Sequence, residues 1–146
     1  MSDFPKHLSE VTCSLELRRG ELLGALTSLK DADLARARRG GWTVGKVVEH
    51  IIGSEWHYAR LVGSLRGADD VAPETDAAAG IADVLEALAR SRTALLEAID
   101  GVLEEDFYRL GPPGREEYSV MSVLENVEQH DVEHLGQIRR IQAESR

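Results

Sequence analysis

Hydrophobic side chains recur every three or four residues along most of the chain, which is the spacing of one face of an α-helix. This pattern predicts four amphipathic helices, over residues 5–29, 43–66, 76–103 and 119–143. In the first of them, Leu15 and Leu22 fall on one apolar stripe. No stretch alternates apolar and polar residues over the length of a β-strand. The sequence therefore predicts an all-α protein built as a four-helix bundle.

The starts of the second and fourth segments resemble each other. Trp42 and Thr43 open one, and Tyr118 and Ser119 open the other; in each pair an aromatic residue precedes a hydroxyl residue suited to cap a helix. Aligned at a shift of 76 residues, the two segment starts match in pattern. This match indicates either an internal repeat of a helical hairpin or a chance likeness between two amphipathic helix starts.

An internal repeat has a consequence for the order of the helices. It predicts a pseudo-twofold axis, with the second and fourth helices as antiparallel neighbours and an up-down-down-up topology. The connection between helices two and three must then be a long crossover over residues 67–75, which reach about 30 Å at about 3.3 Å per residue. A simple up-down-up-down bundle needs only a short loop there and stays open.

Size and charge limit the class of protein. A chain of 146 residues can bury one substantial core, so we expect a single domain over residues 1–146. The formal net charge of -9 argues against nucleic acid or an anionic membrane surface as a partner. No apolar run approaches the roughly 20 residues that span a bilayer, and the first residues lack a signal-peptide pattern, so we expect a cytoplasmic protein.

Cysteine usage restricts the chemistry of any metal site. Cys13 is the only cysteine, which excludes an intrachain disulfide and a thiolate-rich zinc site. A bound metal must therefore be held by histidine and carboxylate. Cys13 itself is interpreted as a bystander, so a thiol that takes part in chemistry is expected to arrive as a cosubstrate.

Two histidines in the fourth segment are the strongest candidates for metal ligands. His130 and His134 are four residues apart, which on a helix places their side chains about 40° apart around the axis and about 6 Å apart along it. They share their face with Gln137, a candidate to orient a ligating imidazole. The alternatives are a water-filled hydrogen-bond network in the core, or a helix turned so that this polar row faces solvent.

A third ligand is available in the second segment. His50 falls on the predicted inner stripe, where a buried imidazole needs a partner. Three neutral imidazoles with an open fourth position are typical of a reactive metal centre. Glu55 is a candidate fourth ligand or general base, and His57 lines the pocket or serves as base. Asp131 is interpreted as part of a solvated charged face and receives no role.

These residues resemble a known family. Residues 42–50, ending at His50, and the run His130-Asp-Val-Glu-His134-Leu-Gly-Gln137 are similar to signatures of the DinB-like superfamily of four-helix bundles, and the likeness in element order covers nearly the whole chain. That superfamily includes bacillithiol and mycothiol S-transferases and metal-dependent hydrolases. The resemblance implies an up-down-down-up bundle and a divalent ion, typically zinc or nickel, held at positions equivalent to His50, His130 and His134.

Three functions are considered, the third from a different class than the first two. The leading expectation is an enzyme whose ion activates a low-molecular-weight thiol for attack on a small electrophile. The second is a hydrolase in which water takes the open position and Glu55 or His57 is the base. The third is a noncatalytic bundle that binds a small ligand or pairs as a homodimer, an association plausible for the family although no stripe in the sequence marks an interface.

Overall fold

The computed structural model describes residues 2–67, 79–112, 114 and 116–144. Within these residues the chain forms four long α-helices, a short α-helix and one 3₁₀ helix. The long helices are α1 (Phe4–Thr27), α2 (Val44–Leu65), α3 (Ile81–Ile99) and α5 (Val120–Glu144); the short one is α4 (Glu104–Tyr108), and the 3₁₀ helix is Asp31–Ala35. The described part contains no β-strand, only an isolated bridge. The predicted all-α helical bundle is confirmed.

Both helix starts predicted from a hydroxyl residue are capped by that residue. Thr43 Oγ1 accepts a hydrogen bond of 3.0 Å from the backbone N–H of Lys46 at the start of α2. Ser119 Oγ accepts from the backbone N–H of Ser122 at 3.1 Å, and Ser122 Oγ accepts from that of Ser119 at 2.9 Å. These bonds satisfy N–H groups that have no partner inside the helix, so α2 and α5 begin where the sequence predicts.

The third predicted segment differs from α3 at its end. The predicted helix extends to residue 103, but α3 ends at Ile99. Gly101 has φ +67°, a left-handed conformation that ends the helix, although the buried Val102 continues the apolar spacing. The segment between residues 103 and 117 also contains α4, which periodicity alone missed. The predicted start at residue 76 and most of the proposed crossover lie outside the described residues.

The apolar core consists of two clusters at opposite ends of the long helices. One joins the C-terminal halves of α1 and α5 with the N-terminal halves of α2 and α3; it includes Leu22, Leu26, Val47, Ile51, Val84, Leu88, Ile138 and Ile141. The other joins the remaining halves; it includes Leu15, Val62, Leu95, Ile99, Phe107, Val123, Leu124 and Val127. A row of buried polar side chains lies between them in sequence on every long helix: Arg19, Glu55, Ser91, Arg92 and Asp131.

The helices that carry the candidate ligands are neighbours. α2 packs against α3 on one side and α5 on the other, and α1 packs against α5. His50 on α2 therefore faces the helix that carries His130 and His134. Among the described residues, no helix combines the length and the apolar character that crossing a membrane requires.

Candidate metal centre

Three imidazoles from two helices converge at one point of the bundle. His50 comes from α2, and His130 and His134 come from successive turns of α5. The ring centroids of His50 lie 5.0 Å from His130 and 4.8 Å from His134, and those of the latter two lie 4.3 Å apart. One nitrogen from each ring lies within 4.8 Å of the other two. The structure thus brings together all three predicted ligands.

The spacing of the nitrogens fits a shared cation. Nε2 of His130 and Nε2 of His134 are 3.1 Å apart. Two nitrogens at 2.0–2.1 Å from one zinc ion with a tetrahedral angle between them are separated by about 3.3 Å. The closest nitrogen pair is therefore within a few tenths of an ångström of the separation that one ion requires. The donor set, three imidazoles without thiolate, is one that zinc, nickel and copper accept.

The outer nitrogen of His134 has a partner that orients the ring. Nδ1 of His134 donates a hydrogen bond of 2.9 Å to Oε1 of Gln137, one turn further along α5. With the hydrogen on Nδ1, the lone pair of Nε2 points toward His130 and the shared space. Ligating histidines are commonly held by such an outer hydrogen bond. Gln137 therefore has the position that the sequence predicted for it.

The surroundings of His50 and His130 favour the neutral form of these two imidazoles. Burial lowers the pKa of His50 below its ordinary value, and the nearby His134 and Lys46 lower it further. Burial followed by the other two imidazoles also lowers the pKa of His130, against smaller opposing effects of Asp131 and Glu133. A neutral imidazole has a free lone pair, so these rings are ready to bind a metal at neutral pH.

Two aromatic side chains lie beside the imidazoles of the centre. The ring of Trp42 meets His50 edge to face at 5.4 Å, and the side chain is 45% exposed. The ring centroid of the half-buried Tyr58 lies 6.0 Å from that of His130. Lys46 lies 5.9 Å from the Trp42 ring. The three imidazoles themselves are only partly buried.

Glu55 lies outside the histidine group. Its side chain is 2% exposed, and its two oxygens accept hydrogen bonds from Arg19, Arg92 and Ser91. Burial by itself raises the pKa of Glu55, but the two arginines and the hydrogen bonds outweigh burial, so that the pKa lies below its ordinary value. A carboxylate with these partners is a weak base. Its predicted role as ligand or base stays a prediction.

His57 also lies outside the group. Its imidazole is exposed, one residue before Tyr58, and its ring centroid is 5.8 Å from that of Tyr58. The structure places it on the same helix as His50 but not among the three converging rings. A role as general base stays a prediction for His57 too.

Sequence reasoning missed the burial of Asp131. The expectation of a solvated face was wrong, because Asp131 is 2% exposed and accepts hydrogen bonds from both Arg19 and Arg92. A signal was present. Arg19 occupies the position between Leu15 and Leu22 where the apolar stripe of α1 is interrupted. The apolar stripes of the other long helices are interrupted in the same way. These interruptions, taken together, could have revealed a buried polar layer.

Comparison with known proteins gives one match. The family model described as the DinB superfamily matches residues 14–138, a range that includes all three histidines. No curated protein and no solved structure matches the chain.

Proposed function

Because the chain belongs to the DinB superfamily, we propose that the protein is a metal-dependent enzyme that transfers a low-molecular-weight thiol to a small electrophile. The observation that carries the proposal is the convergence of His50, His130 and His134. Three imidazoles suit a divalent ion that keeps a position open for a substrate, and we propose zinc or nickel. A soluble small molecule, rather than nucleic acid or a membrane, is the proposed partner, as the net charge of -9 favours.

The residues of the proposed metal centre have different roles. The three histidines hold the ion, and Gln137 keeps the His134 ring turned toward it. When bound, a divalent ion with an open position lowers the pKa of a thiol ligand, so that the thiolate forms near neutral pH. In the transfer that this chemistry would serve, the sulfur would form a carbon–sulfur bond, the leaving group would depart with the bonding electron pair, and the thiol proton would pass to solvent.

The tyrosine beside the centre is suited to support this step. Burial raises the pKa of Tyr58 above its ordinary value, and Tyr118 and Glu133 raise it further. The phenol therefore keeps its proton at neutral pH and is a hydrogen-bond donor for a substrate beside His130. Trp42, half exposed beside His50, offers an apolar surface for the body of the electrophile.

The state of the two predicted bases favours a thiol over water as the nucleophile. A base near the reacting water assists a hydrolase, but the oxygens of Glu55 are occupied by two arginines and a serine. His57 is exposed and apart from the three rings. A thiol is far more acidic than water, so formation of its anion at a metal centre depends less on a separate base.

We also infer the order of the helices. The cluster that joins the C-terminal halves of α1 and α5 with the N-terminal halves of α2 and α3 supports an up-down-down-up bundle. The second cluster, made from the opposite halves, supports the same order. This order makes α2 and α5 antiparallel neighbours, which brings the start of α2, with His50, beside the C-terminal part of α5.

Metal analysis of two histidine variants tests the proposed centre. Protein purified without an affinity tag or chelator is expected to hold about one divalent ion per chain. His130→Ala is expected to lose that ion, because two imidazoles alone make a weak site. The matched control is His57→Ala, which removes an exposed imidazole from outside the group and should keep the ion. Full metal content in His130→Ala would refute the centre.

Turnover assays with and without a thiol test the reaction. The metal-loaded protein is expected to consume small electrophiles only when a low-molecular-weight thiol is present. Turnover that ignores the thiol would identify a hydrolase instead. A protein that holds the ion but turns over no electrophile in either condition would be a noncatalytic bundle.

A further inference from the structure

A buried layer of charged side chains crosses the middle of the bundle. Arg19 on α1, Glu55 on α2, Arg92 on α3 and Asp131 on α5 are all at most 9% exposed. They lie between the two apolar clusters, one from each long helix. The two positive and two negative charges balance, but removing four ions from water is costly compared with packing apolar side chains of similar size. Stability alone therefore does not explain the layer.

Each arginine of the layer bridges the same two carboxylates. Arg19 donates to both oxygens of Glu55 at 3.0 Å and to both oxygens of Asp131 at 2.9 and 3.2 Å. Arg92 donates to Glu55 at 2.7 Å and to Asp131 at 3.2 Å. The planar guanidinium groups fix the direction as well as the distance of these bonds. Glu55 on α2 and Asp131 on α5 are thus connected through two separate arginines.

The two tied helices are those that hold the candidate ligands. Glu55 follows His50 on α2, and Asp131 lies between His130 and His134 on α5. A rotation or a shift of either helix that separated the imidazoles would also break charged hydrogen bonds between buried side chains. An ordinary apolar contact resists such a shift less, because apolar packing has no preferred direction.

We propose that Arg19, Glu55, Arg92 and Asp131 form a clamp that positions α2 against α5 and so preorganises the three histidines for their ion. The clamp rests on the proposed metal centre, and its members are positioning residues that touch no substrate. A preformed centre binds its ion more tightly than one whose helices must first be brought into register, because less ordering remains to be done on binding.

Metal affinity of two conservative variants tests the clamp. Arg92→Lys keeps the charge but loses the planar fork that reaches two carboxylates. Glu55→Gln keeps the shape but leaves the arginines with one carboxylate. Zinc affinity of each folded variant, measured by competition with a chelator, is expected to fall about 10- to 100-fold, the range seen when partners outside the ligand set are removed. The visible spectrum of bound cobalt is expected to change as well.

The control separates positioning from loss of stability. Ile99→Ala removes an apolar side chain from the last residue of α3, the helix of Arg92, within the second apolar cluster. It should lower the melting temperature while leaving zinc affinity and the cobalt spectrum unchanged. All titrations are made well below the lowest melting temperature, with folding checked by circular dichroism. If Glu55→Gln does not fold, Arg92→Lys alone decides.

Two results would overturn the clamp. Zinc affinity equal to that of the wild type in the folded variants, with only the melting temperature lowered, would leave the layer a purely structural feature while the metal centre stands. Failure of the wild-type protein itself to bind zinc or cobalt would remove the centre and the clamp together. Binding of the ion without thiol transfer would refute the proposed reaction and leave the clamp intact.

Discussion

His134 uses both nitrogens of its ring. Nδ1 donates to Gln137 at 2.9 Å, and Nε2 lies 3.1 Å from Nε2 of His130. Gln137 therefore holds Nδ1, and the lone pair of Nε2 accepts a hydrogen bond from His130, a contact that a shared ion would replace. The ring keeps its direction without a metal, because a side chain on the same helix supplies the hydrogen-bond acceptor.

Replacing the acceptor tests this orientation at the scale of one residue. Gln137→Leu keeps a side chain of similar length but removes the acceptor of the His134 N–H. We expect zinc affinity to fall by about 10- to 100-fold with all three ligands still present. Gln129→Leu is the matched control on the exposed face of α5 and should leave affinity unchanged. Equal affinities in the two variants would show that Gln137 orients nothing.

At the scale of the elements, the start of α3 is capped from outside its own segment. The backbone N–H of Ile81, its first residue, donates to Oδ1 of Asp31 at 2.9 Å, and Asp31 opens the 3₁₀ helix after α1. A methyl group on Gly80 would lie 2.9 Å from the same oxygen. Glycine at position 80 therefore leaves room for the Asp31 carboxylate beside the backbone. It is not required there by an unusual φ.

A double-mutant cycle measures this cap. Asp31→Ala is expected to lower the free energy of unfolding by about 1 kcal/mol, because a helix N–H loses its acceptor. Gly80→Ala should cost a similar amount by displacing the carboxylate. In the double variant the second substitution should cost little, since the bond is already lost. Urea unfolding of the four proteins gives these values, and full additivity would argue against the shared bond.

The whole molecule contains two apolar clusters with a charged layer between them. Ionised Glu55 is stabilised in this layer, and its pKa lies below the ordinary value of 4.5. A carboxyl group whose pKa is lower in the folded state adds stability that is complete above its unfolded pKa. That stability is lost as the pH falls through the lower, folded value. Acid should therefore loosen the contact between α2 and α5.

Unfolding measured as a function of pH tests this dependence. The free energy of unfolding of the wild type is expected to fall steeply between about pH 4.5 and the lower folded pKa of Glu55. Glu55→Gln, which cannot titrate there, should be less stable at neutral pH by about 3–5 kcal/mol and should show a flatter acid limb. Parallel acid limbs for the two proteins would show that other carboxyl groups control acid unfolding.

The buried polar layer could not be predicted from the hydrophobic pattern of any single helix. Leu15 and Leu22 define the inner face of α1 from the sequence, and Arg19 lies between them on that face. Burial of a lone arginine is unfavourable, so a helix read by itself favours a solvated interpretation. The partners of Arg19 come from α2 and α5, 36 and 112 residues away, and periodicity within one helix cannot show them.

The sequence by itself determined the number of long helices. It also determined the caps at Thr43 and Ser119 and the pairing of His130 with His134. Each depends on residues within a few turns of one another, where helix geometry alone sets the spacing. Only the tertiary structure decided that His50 meets that pair and that Glu55 binds arginines instead. Both outcomes depend on how the helices rotate against each other, which packing of the whole core selects.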